Sequence, residues 1–335
     1  MEQRIPVIIL AGFLGAGKTT ALNHILRHSN GQKIGVIVND FGEVNIDALL
    51  VSKQTENTME LSGGCICCQM SDGGLDETLQ TFAHPGSTID AILIEASGIA
   101  EPSDLRKLVL YSSNKHISMN GVVYFVDAAN IRQQLVDHPD IAHHIAAADL
   151  LVLNKIDLVS AAALTHIEQL LRTHNPEAII TRTTNGAVSP ELLFDAHHTK
   201  SNEQLSLAAA EADHHHNHLH DAFTSISFTT EQPLSPQRFE HFLTTLPSSV
   251  YRLKGILYYG MKGFEQKIVI HKVGNHLQQA AEEWRGYETP GTRLVAIGVA
   301  IDEPALRQAL EACIDPTPDD ISADDMVDIM RLKGF

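Results

Sequence analysis

Short apolar runs alternate with longer amphipathic stretches over the first two hundred residues of the chain. The apolar runs predict six strands, in "PVIILAG", "KIGVIVND", "DAILIEASG", "GVVYFVDA", "DLLVLNK" and "EAIITRTT". The stretches between them predict helices over residues 18–28, 102–111, 130–148 and 160–174. Near-continuous apolar strands separated by helices are typical of a mostly parallel sheet that is covered on both faces. Such sheets bind ligands at the carboxyl ends of their strands.

The pattern changes near residue 198, where a polar, His-rich stretch poor in β-branched residues predicts a linker. Strands follow in "AFTSISFTTEQ", "VYRLKGILYYG", "FEQKIVIHKV" and "TRLVAIGVAI", with helices in "SPQRFEHFLTTL" and "EPALRQALEAC". Ser235 is the predicted N-cap of the first helix, with Pro236 at its first position. The fold prediction is therefore α/β followed by a smaller α+β domain. Its parts are a first domain over residues 1–198, a linker over 199–221, a second domain over 222–315 and an acidic tail over 316–335.

A phosphate-binding loop is predicted between the first strand and the first helix. "GFLGAGKTT" matches the pattern G-x-x-x-x-G-K-[ST] in the strand-to-helix context that the motif requires. In such a loop Lys18 reaches the β- and γ-phosphates, the Thr19 hydroxyl ligates Mg²⁺, and backbone N–H groups wrap the phosphates. The alternative is a glycine-rich turn that arose by chance. The residues of this loop predicted to bind nucleotide are Gly12, Gly15, Ala16, Gly17, Lys18, Thr19 and Thr20.

Two later strands also end in polar residues. "ILIEASG" places Glu95 where a carboxylate can hold Mg²⁺ directly or through water, and Gly98 where a backbone N–H can meet the γ-phosphate. We predict Lys18 and Glu95 as the catalytic residues; the alternative for Glu95 is a strand cap. "VNDFGEVNID" also follows a strand and suits a loop that senses the γ-phosphate.

"NKID" at residues 154–157 resembles the guanine-specificity motif of GTPases. In that motif Asp157 accepts hydrogen bonds from the guanine N1 and exocyclic amine, Asn154 bonds the base edge, and the stem of Lys155 packs over the ring. The predicted nucleotide is therefore GTP. The alternative is a surface turn that follows a buried strand.

Three of the four cysteines lie within four positions of "LSGGCICCQM", as Cys65, Cys67 and Cys68. Disulfide geometry does not favour such close pairs, and a nucleophile needs one thiol, so a thiophilic metal ion is the favoured reading. Zinc fits, and cobalt(II) or nickel(II) would also fit. The alternative is that these thiols pack in a turn. Cys313 lies on an apolar helix face and is predicted to be a core residue.

Histidines are concentrated in "DHHHNHLHD". His214, His216, His218 and His220 would share one side of an extended chain and could form a weak, mobile metal store. The alternative is a solvated linker. The other predicted surface histidines are His143, His144, His197 and His198.

The composition of the chain argues against some classes of binding partner. The chain of 335 residues has a formal net charge of -17 and 44% hydrophobic residues. No basic run exceeds two residues, which argues against a nucleic-acid partner. No segment has the length of a membrane span or the form of a signal peptide, so no membrane partner is expected. Four cysteines, three of them clustered, do not form a disulfide framework, and the expectation is a reduced, cytoplasmic protein.

Together "GFLGAGKTT", "NDFGEVNID", "GGCICC", "EASG" and "NKID" make the chain similar to CobW-type members of the P-loop GTPase group, which includes the nickel-handling UreG and HypB proteins. "RLKGILYY", Trp284 and "GTRLVAIG" resemble the family's second domain. The resemblance implies a GTP-hydrolysing metallochaperone, most often for zinc and sometimes for cobalt. It also implies the metal ligands Cys65, Cys67, Cys68 and Glu43. One departure is Asp40, where many members have Glu.

Several functions fit these features. The leading prediction is a chaperone that uses GTP hydrolysis to transfer zinc to a metal-requiring client protein. The alternatives are a non-enzymatic, nucleotide-regulated metal buffer or sensor, and a cobalt chaperone of cobalamin synthesis. A kinase-like phosphoryl transferase would use the same P-loop, but the sequence offers no obvious acceptor pocket. A homo-oligomer is compatible with every one of these.

Overall fold

The computed structural model describes residues 4–29, 31–38, 58–60, 74–98, 100–194, 223–262, 264–274, 276–286 and 288–316. Contacts between residues divide the chain into two compact units. The first unit extends to Ala222 but leaves out Glu177–Ile179, and the second holds those three residues and everything from Phe223 onward. Among the described residues, no helix is both long enough and apolar enough to cross a bilayer.

The first unit is built on a seven-stranded sheet in the order β3-β2-β4-β1-β5-β6-β7. Adjacent pairs from β3 to β6 are parallel, which confirms the predicted sheet. Strands β2, β4, β5 and β6 are buried at every position, because apolar side chains on both faces pack under helices. The strands are β1 (Ile5–Gly12), β2 (Ile34–Val38), β3 (Thr58–Glu60), β4 (Ala91–Glu95), β5 (Ile117–Asp127), β6 (Leu150–Asn154) and β7 (Ile179–Arg182).

Helices connect these strands, and one of them departs from the prediction. A single helix over residues 130–148 is wrong: two helices occupy this stretch and Pro139 lies between them. Proline has no N–H to donate and its ring clashes with the preceding turn, so a helix does not continue through it. The helices are α1 (Lys18–Arg27), α2 (Gly74–Phe82), α3 (Pro102–Leu110), α4 (Ile131–Asp137), α5 (Ile141–Ala146), α6 (Ala161–His174) and α7 (Pro190–Leu193).

The carboxyl ends of five strands meet at one edge of this sheet. Val38 and Glu95 are register partners in β2 and β4, and Glu95 is also paired with Leu10 of β1, two residues before that strand ends. Asp127 and Asn154 are register partners at the ends of β5 and β6. The polar residues that the sequence places after separate strands are thereby gathered along one edge.

The second unit contains a five-stranded antiparallel sheet in the order β11-β10-β9-β12-β8. Its elements are β8 (Phe223–Thr230), α8 (Pro236–Thr244), β9 (Val250–Leu257), β10 (Lys267–Val273), β11 (His276–Glu282), β12 (Thr292–Val299) and α9 (Glu303–Glu311). The Ser235 side chain accepts a hydrogen bond from the backbone N–H of Arg238, which confirms the predicted cap. Cys313 is 2% exposed and belongs to the apolar core of this unit, as predicted.

Candidate functional site

A cavity of about 280 Å³ opens at the edge where β1, β2 and β4 end. Its walls are formed by the loop between β1 and α1, by Val38 and by residues 95–98. Gly15, Gly17, Lys18, Thr19 and Thr20, all predicted to bind nucleotide, line it. Glu95 and Gly98 line it as well, so the structure brings the two predicted groups together around one space.

The loop between β1 and α1 needs glycine at its closest approaches. Gly17 has φ 103, and a Cβ on it would lie 2.3 Å from Asn154 Nδ2. A Cβ on Gly98 would lie 2.6 Å from Leu14 Cδ2. Neither position has room for a Cβ, so glycine lets the backbone approach Asn154 and Leu14 closely at these two points.

Lys18 is held against the loop that precedes it. Its Nζ donates hydrogen bonds to the carbonyl oxygens of Gly12, at 2.8 Å, and Phe13, at 3.3 Å. The residue is 8% exposed and lines the cavity. The fold thus keeps one ammonium group in the wall of the cavity, and a cation in this position suits an anion.

Thr19 and Glu95, which both line the cavity, are hydrogen-bonded to each other. The Thr19 hydroxyl donates a hydrogen bond of 2.6 Å to Glu95 Oε1, although the residues are 76 positions apart. Glu95 is 3% exposed. A hydroxyl and a carboxylate oxygen are hard ligands of the kind that Mg²⁺ prefers, so the residues present fit the predicted ion.

Ser97, which the sequence analysis did not single out, belongs to the same wall. It is 5% exposed, and within the described part of the chain its hydroxyl has no hydrogen-bond partner. Its position in the sequence, between Glu95 and Gly98, could have identified it as a residue of the site.

Asn154 joins the base motif to the phosphate loop. Its Nδ2 donates a hydrogen bond of 2.9 Å to the carbonyl oxygen of Ala16, and its Oδ1 accepts one of 3.1 Å from the N–H of Gly186. Asn154 is 2% exposed. The sequence predicted a contact between Asn154 and the edge of the base. It did not predict these two hydrogen bonds, because Ala16 and Gly186 lie far from Asn154 in the chain.

Lys155 has a left-handed backbone, with φ 60, and its side chain is tied to Asp127. Lys155 Nζ lies 2.7 Å from Asp127 Oδ2. Burial of the Asp127 carboxylate acts to raise its pKa, but the hydrogen bonds from Lys155 and Asn130 outweigh burial and hold the pKa below its usual value. Asp157 is exposed and lies in a short 3₁₀ helix, Ile156–Leu158, directly after Lys155.

Several predicted metal ligands lie outside the described residues. These are Glu43, Cys65, Cys67, Cys68, His214, His216, His218 and His220, together with the surface histidines His197 and His198. Within the described residues, no group of three or more His, Cys, Asp or Glu side chains is placed to hold a metal ion.

The prediction of a surface position was wrong for His144. His143 is exposed as expected, whereas His144 is 4% exposed, with Nε2 3.0 Å from Glu101 Oε2. The reason lies in α5, where His144 shares the buried face with Ile141 and Ile145 at helical spacing.

Two protein-family models match this chain. The family model described as "CobW/HypB/UreG, nucleotide-binding domain" matches residues 6–182, and "Cobalamin synthesis protein cobW C-terminal domain" matches residues 223–314. The zinc chaperone CobW of Sinorhizobium sp is 29% identical, over 93% of this chain and 98% of its own. The zinc chaperone YjiA of Escherichia coli (strain K12) is 28% identical, over 91% of this chain and 97% of its own.

A solved structure gives a similar match. The crystal structure of Zn(II)-bound YjiA GTPase from E. coli aligns at a TM-score of 0.42 and 23% identity, covering 93% of this chain and all of that one. The first family model spans more than half of the chain, over the unit that carries the cavity, and the second spans the antiparallel unit. The chain therefore belongs to the CobW/HypB/UreG family of P-loop nucleotide-binding proteins.

Proposed function

We propose that this chain is a GTPase that binds zinc, or a similar divalent ion, at Cys65, Cys67 and Cys68 and passes it to a client protein when GTP is hydrolysed. The observation that carries the proposal is the hydrogen bond between Thr19 and Glu95 inside a cavity walled by the phosphate loop. It supports phosphate chemistry at this edge of the sheet. The names of the similar proteins, which include zinc chaperones and a zinc-regulated GTPase metalloprotein activator, support the metal.

The residues around the cavity suit a nucleoside triphosphate. Lys18 presents a cation to the β- and γ-phosphates, and the loop and Gly98 present backbone N–H groups to the same oxygens. Thr19 and Glu95 would hold Mg²⁺, which neutralises phosphate charge when bound. The carboxylate of Asp157 suits guanine, because guanine offers N1–H and an exocyclic amine together and adenine does not.

The strands that precede Glu43 and the proposed metal loop in the sequence end at the edge that carries this cavity. Val38 and Glu60 are register partners at the carboxyl ends of β2 and β3, and Val38 also lines the cavity. Cys65 follows Glu60 by five residues in the sequence, and Glu43 follows Val38 by five. Five residues of extended chain span at most about 18 Å, so both segments start within reach of the nucleotide site.

This arrangement supports a coupling between nucleotide and metal. A γ-phosphate orders the loops that contact it, and those loops relax when it leaves. In the proposed cycle the segments after Val38 and Glu60 carry Glu43 and the three cysteines, so the loss of the γ-phosphate weakens metal binding and allows transfer.

The deciding experiment is a zinc titration of the protein loaded with a non-hydrolysable GTP analogue or with GDP. The expected result is a zinc affinity that differs at least about fivefold between the two forms, with a matching effect of zinc on analogue affinity, because linkage is reciprocal. Cys67→Ala should weaken zinc binding more than tenfold, since a thiolate ligand is lost. The matched control is Cys313→Ala, which removes the core thiol and should leave zinc affinity unchanged.

Other outcomes point to other functions. Equal zinc affinity in both nucleotide states would overturn the chaperone cycle, and tight GTP binding without turnover would favour a metal buffer or sensor. Since the second family model is named for cobalamin synthesis, the titration is repeated with Co²⁺; tighter, nucleotide-dependent cobalt binding would favour the cobalt alternative.

The histidine run is tested separately. Replacing residues 214–220 by Ser and Gly should lower the number of metal ions bound per chain, because up to five imidazoles are removed. If the replaced and native proteins bound the same number of metal ions per chain, the histidine run would be a solvated linker and not a metal store.

A further inference from the structure

Asp127 is a buried carboxylate outside the motifs that identify the nucleotide site. It ends β5, pairs in register with Asn154 of β6, and its side chain is 3% exposed. Its Oδ2 lies 2.7 Å from Lys155 Nζ, while the side chain of Lys155 is 32% exposed. The lysine is therefore anchored at its tip to the sheet, and its stem lies between two fixed ends.

The anchor itself is rigid. Asp127 Oδ1 accepts a hydrogen bond of 3.0 Å from the backbone N–H of Ala129, and Oδ2 accepts one of 3.0 Å from Asn130 Nδ2. The backbone N–H of Ala128 donates to the carbonyl oxygen of Asn154 at 2.9 Å, which joins the turn after β5 to the end of β6. The carboxylate thus has a fixed position relative to the backbone of Lys155.

We propose that Asp127 is a positioning residue for guanine recognition: it holds the ammonium of Lys155 so that the lysine stem is ordered before the base arrives. This inference rests on the proposed function, in which the stem of Lys155 packs over the guanine ring. A free lysine has many rotamers, and ordering them before binding can improve affinity by up to about thirtyfold. Without the anchor, the ammonium of this partly exposed side chain would be drawn into water and the stem would no longer be held in one position.

The inference makes a specific claim about which binding step changes. Lys155 follows Asn154 at the end of β6 and is not among the residues that line the cavity of the Thr19–Glu95 pair. The loss of Asp127 should therefore lower the affinity for GDP and the affinity for the GTP analogue by the same factor. In turnover it should raise KM more than it lowers kcat, because the interaction is made equally in the ground state and the transition state.

The test is a double-mutant cycle on the full chain, with dissociation constants for GDP and a non-hydrolysable GTP analogue. Asp127→Asn keeps the shape and removes the charge, and we expect about tenfold weaker binding of both nucleotides. Lys155→Met keeps an unbranched stem without the ammonium, and we expect a similar loss. In the Lys155→Met background, adding Asp127→Asn should change affinity less than twofold, because its partner is already gone.

A matched control separates positioning from a general effect on the fold. Gln133→Ala changes an exposed residue of α4 and leaves the Asp127–Lys155 contact and its supporting hydrogen bonds in place, so nucleotide affinity should stay within about twofold of native. If Asp127→Asn proves too unstable to assay, Lys155→Met carries the test, because it leaves the hydrogen bonds from Ala129 and Asn130 in place.

Two results would overturn the inference: native-like binding by Lys155→Met, or an Asp127→Asn effect that persists undiminished in the Lys155→Met background. The native protein provides the reference. If it binds GDP no better than ADP, the proposed GTP specificity fails. If it prefers GDP but the cycle shows no coupling, only the role of Asp127 fails.

Discussion

The hydroxyl of Thr19 donates a hydrogen bond of 2.6 Å to the buried carboxylate of Glu95, and so fixes the start of α1 to the end of β4. Both side chains line the cavity. The pair is thus formed by the fold itself, and it presents two hard oxygen groups where the proposed nucleotide would place its phosphates.

Removing the charge of Glu95 tests this pair. Glu95→Gln retains an oxygen for the Thr19 hydrogen bond but is a weaker Mg²⁺ ligand, so GTP hydrolysis should fall at least about a hundredfold and require more Mg²⁺. Hydrolysis rates across a Mg²⁺ titration measure the effect. Glu77→Gln, which changes an exposed carboxylate on α2, is the control, and an equal effect of both variants would contradict a specific role.

Two glycines of the same loop provide a comparison of stability. Gly15 and Gly17 both have positive φ, at 73 and 103, so alanine at either position costs about 1–2 kcal/mol. A Cβ on Gly15 meets nothing within 4 Å, whereas one on Gly17 meets Asn154 Nδ2. We expect Gly17→Ala to lower the free energy of unfolding by about 2 kcal/mol more than Gly15→Ala does. Urea unfolding without nucleotide measures the free energy of unfolding of both variants. Equal decreases would mean that the Asn154 side chain moves aside at little cost.

The exposed Asp157 tests the choice of nucleotide. Asp157→Asn replaces the acceptor by an amide, so GTP binding should weaken at least about tenfold while binding of a xanthine nucleotide improves. Because Asp157 is exposed, the free energy of unfolding without nucleotide should stay within about 0.5 kcal/mol of native. Competition assays with GTP and XTP give the specificity. An unchanged GTP affinity would remove guanine recognition from this residue.

The buried thiol of Cys313 makes a prediction about pH. Burial raises its pKa to about 11, so at pH 8 the reactive thiolate is scarce. Iodoacetamide should leave Cys313 unlabelled in the native protein and label it after unfolding, as peptide mass spectrometry would show. Since the folded thiol holds its proton more tightly than the unfolded one, its contribution to stability is complete below the ordinary thiol pKa. That contribution is lost as pH rises toward 11.

Cys65, Cys67 and Cys68 provide an internal comparison with Cys313 in the iodoacetamide experiment. If Cys65, Cys67 and Cys68 bind zinc, they should label in metal-free protein and be protected when zinc is added. Rapid labelling of Cys313 in the native state would show that the core around it opens easily.

The main strands could be predicted because each carries its own signal. In β4 and β6 every residue is buried, and a continuous apolar run reveals that directly. Strand β11 was missed because "HLQQAAE" has no such run; it forms the edge of its sheet, where polar residues are tolerated. The break between α4 and α5 had a local signal in Pro139, which the prediction of one long helix overlooked.

The contacts that organise the site lacked a local signal. The sequence placed Glu95 in a different motif from Lys18 and Thr19, and the parallel strand order brings the two motifs to one edge. The Lys155–Asp127 pair joins residues 28 positions apart, and Asp127 looks in the sequence like any polar residue at a strand end. Such pairs depend on which strands become neighbours, which apolar patterns do not specify.

The two hydrogen bonds of Asn154 limit how this site can change during evolution. One amide is hydrogen-bonded both to Ala16 in the phosphate loop and to Gly186 after β7, so in the proposed GTPase a substitution that altered base preference there would also disturb phosphate binding. The side chain of Asp157 is exposed, so in the proposed function a substitution there would leave the phosphate loop in place. A descendant of this chain that acquired a new nucleotide would have an accessible route through residue 157, with Asn154 retained.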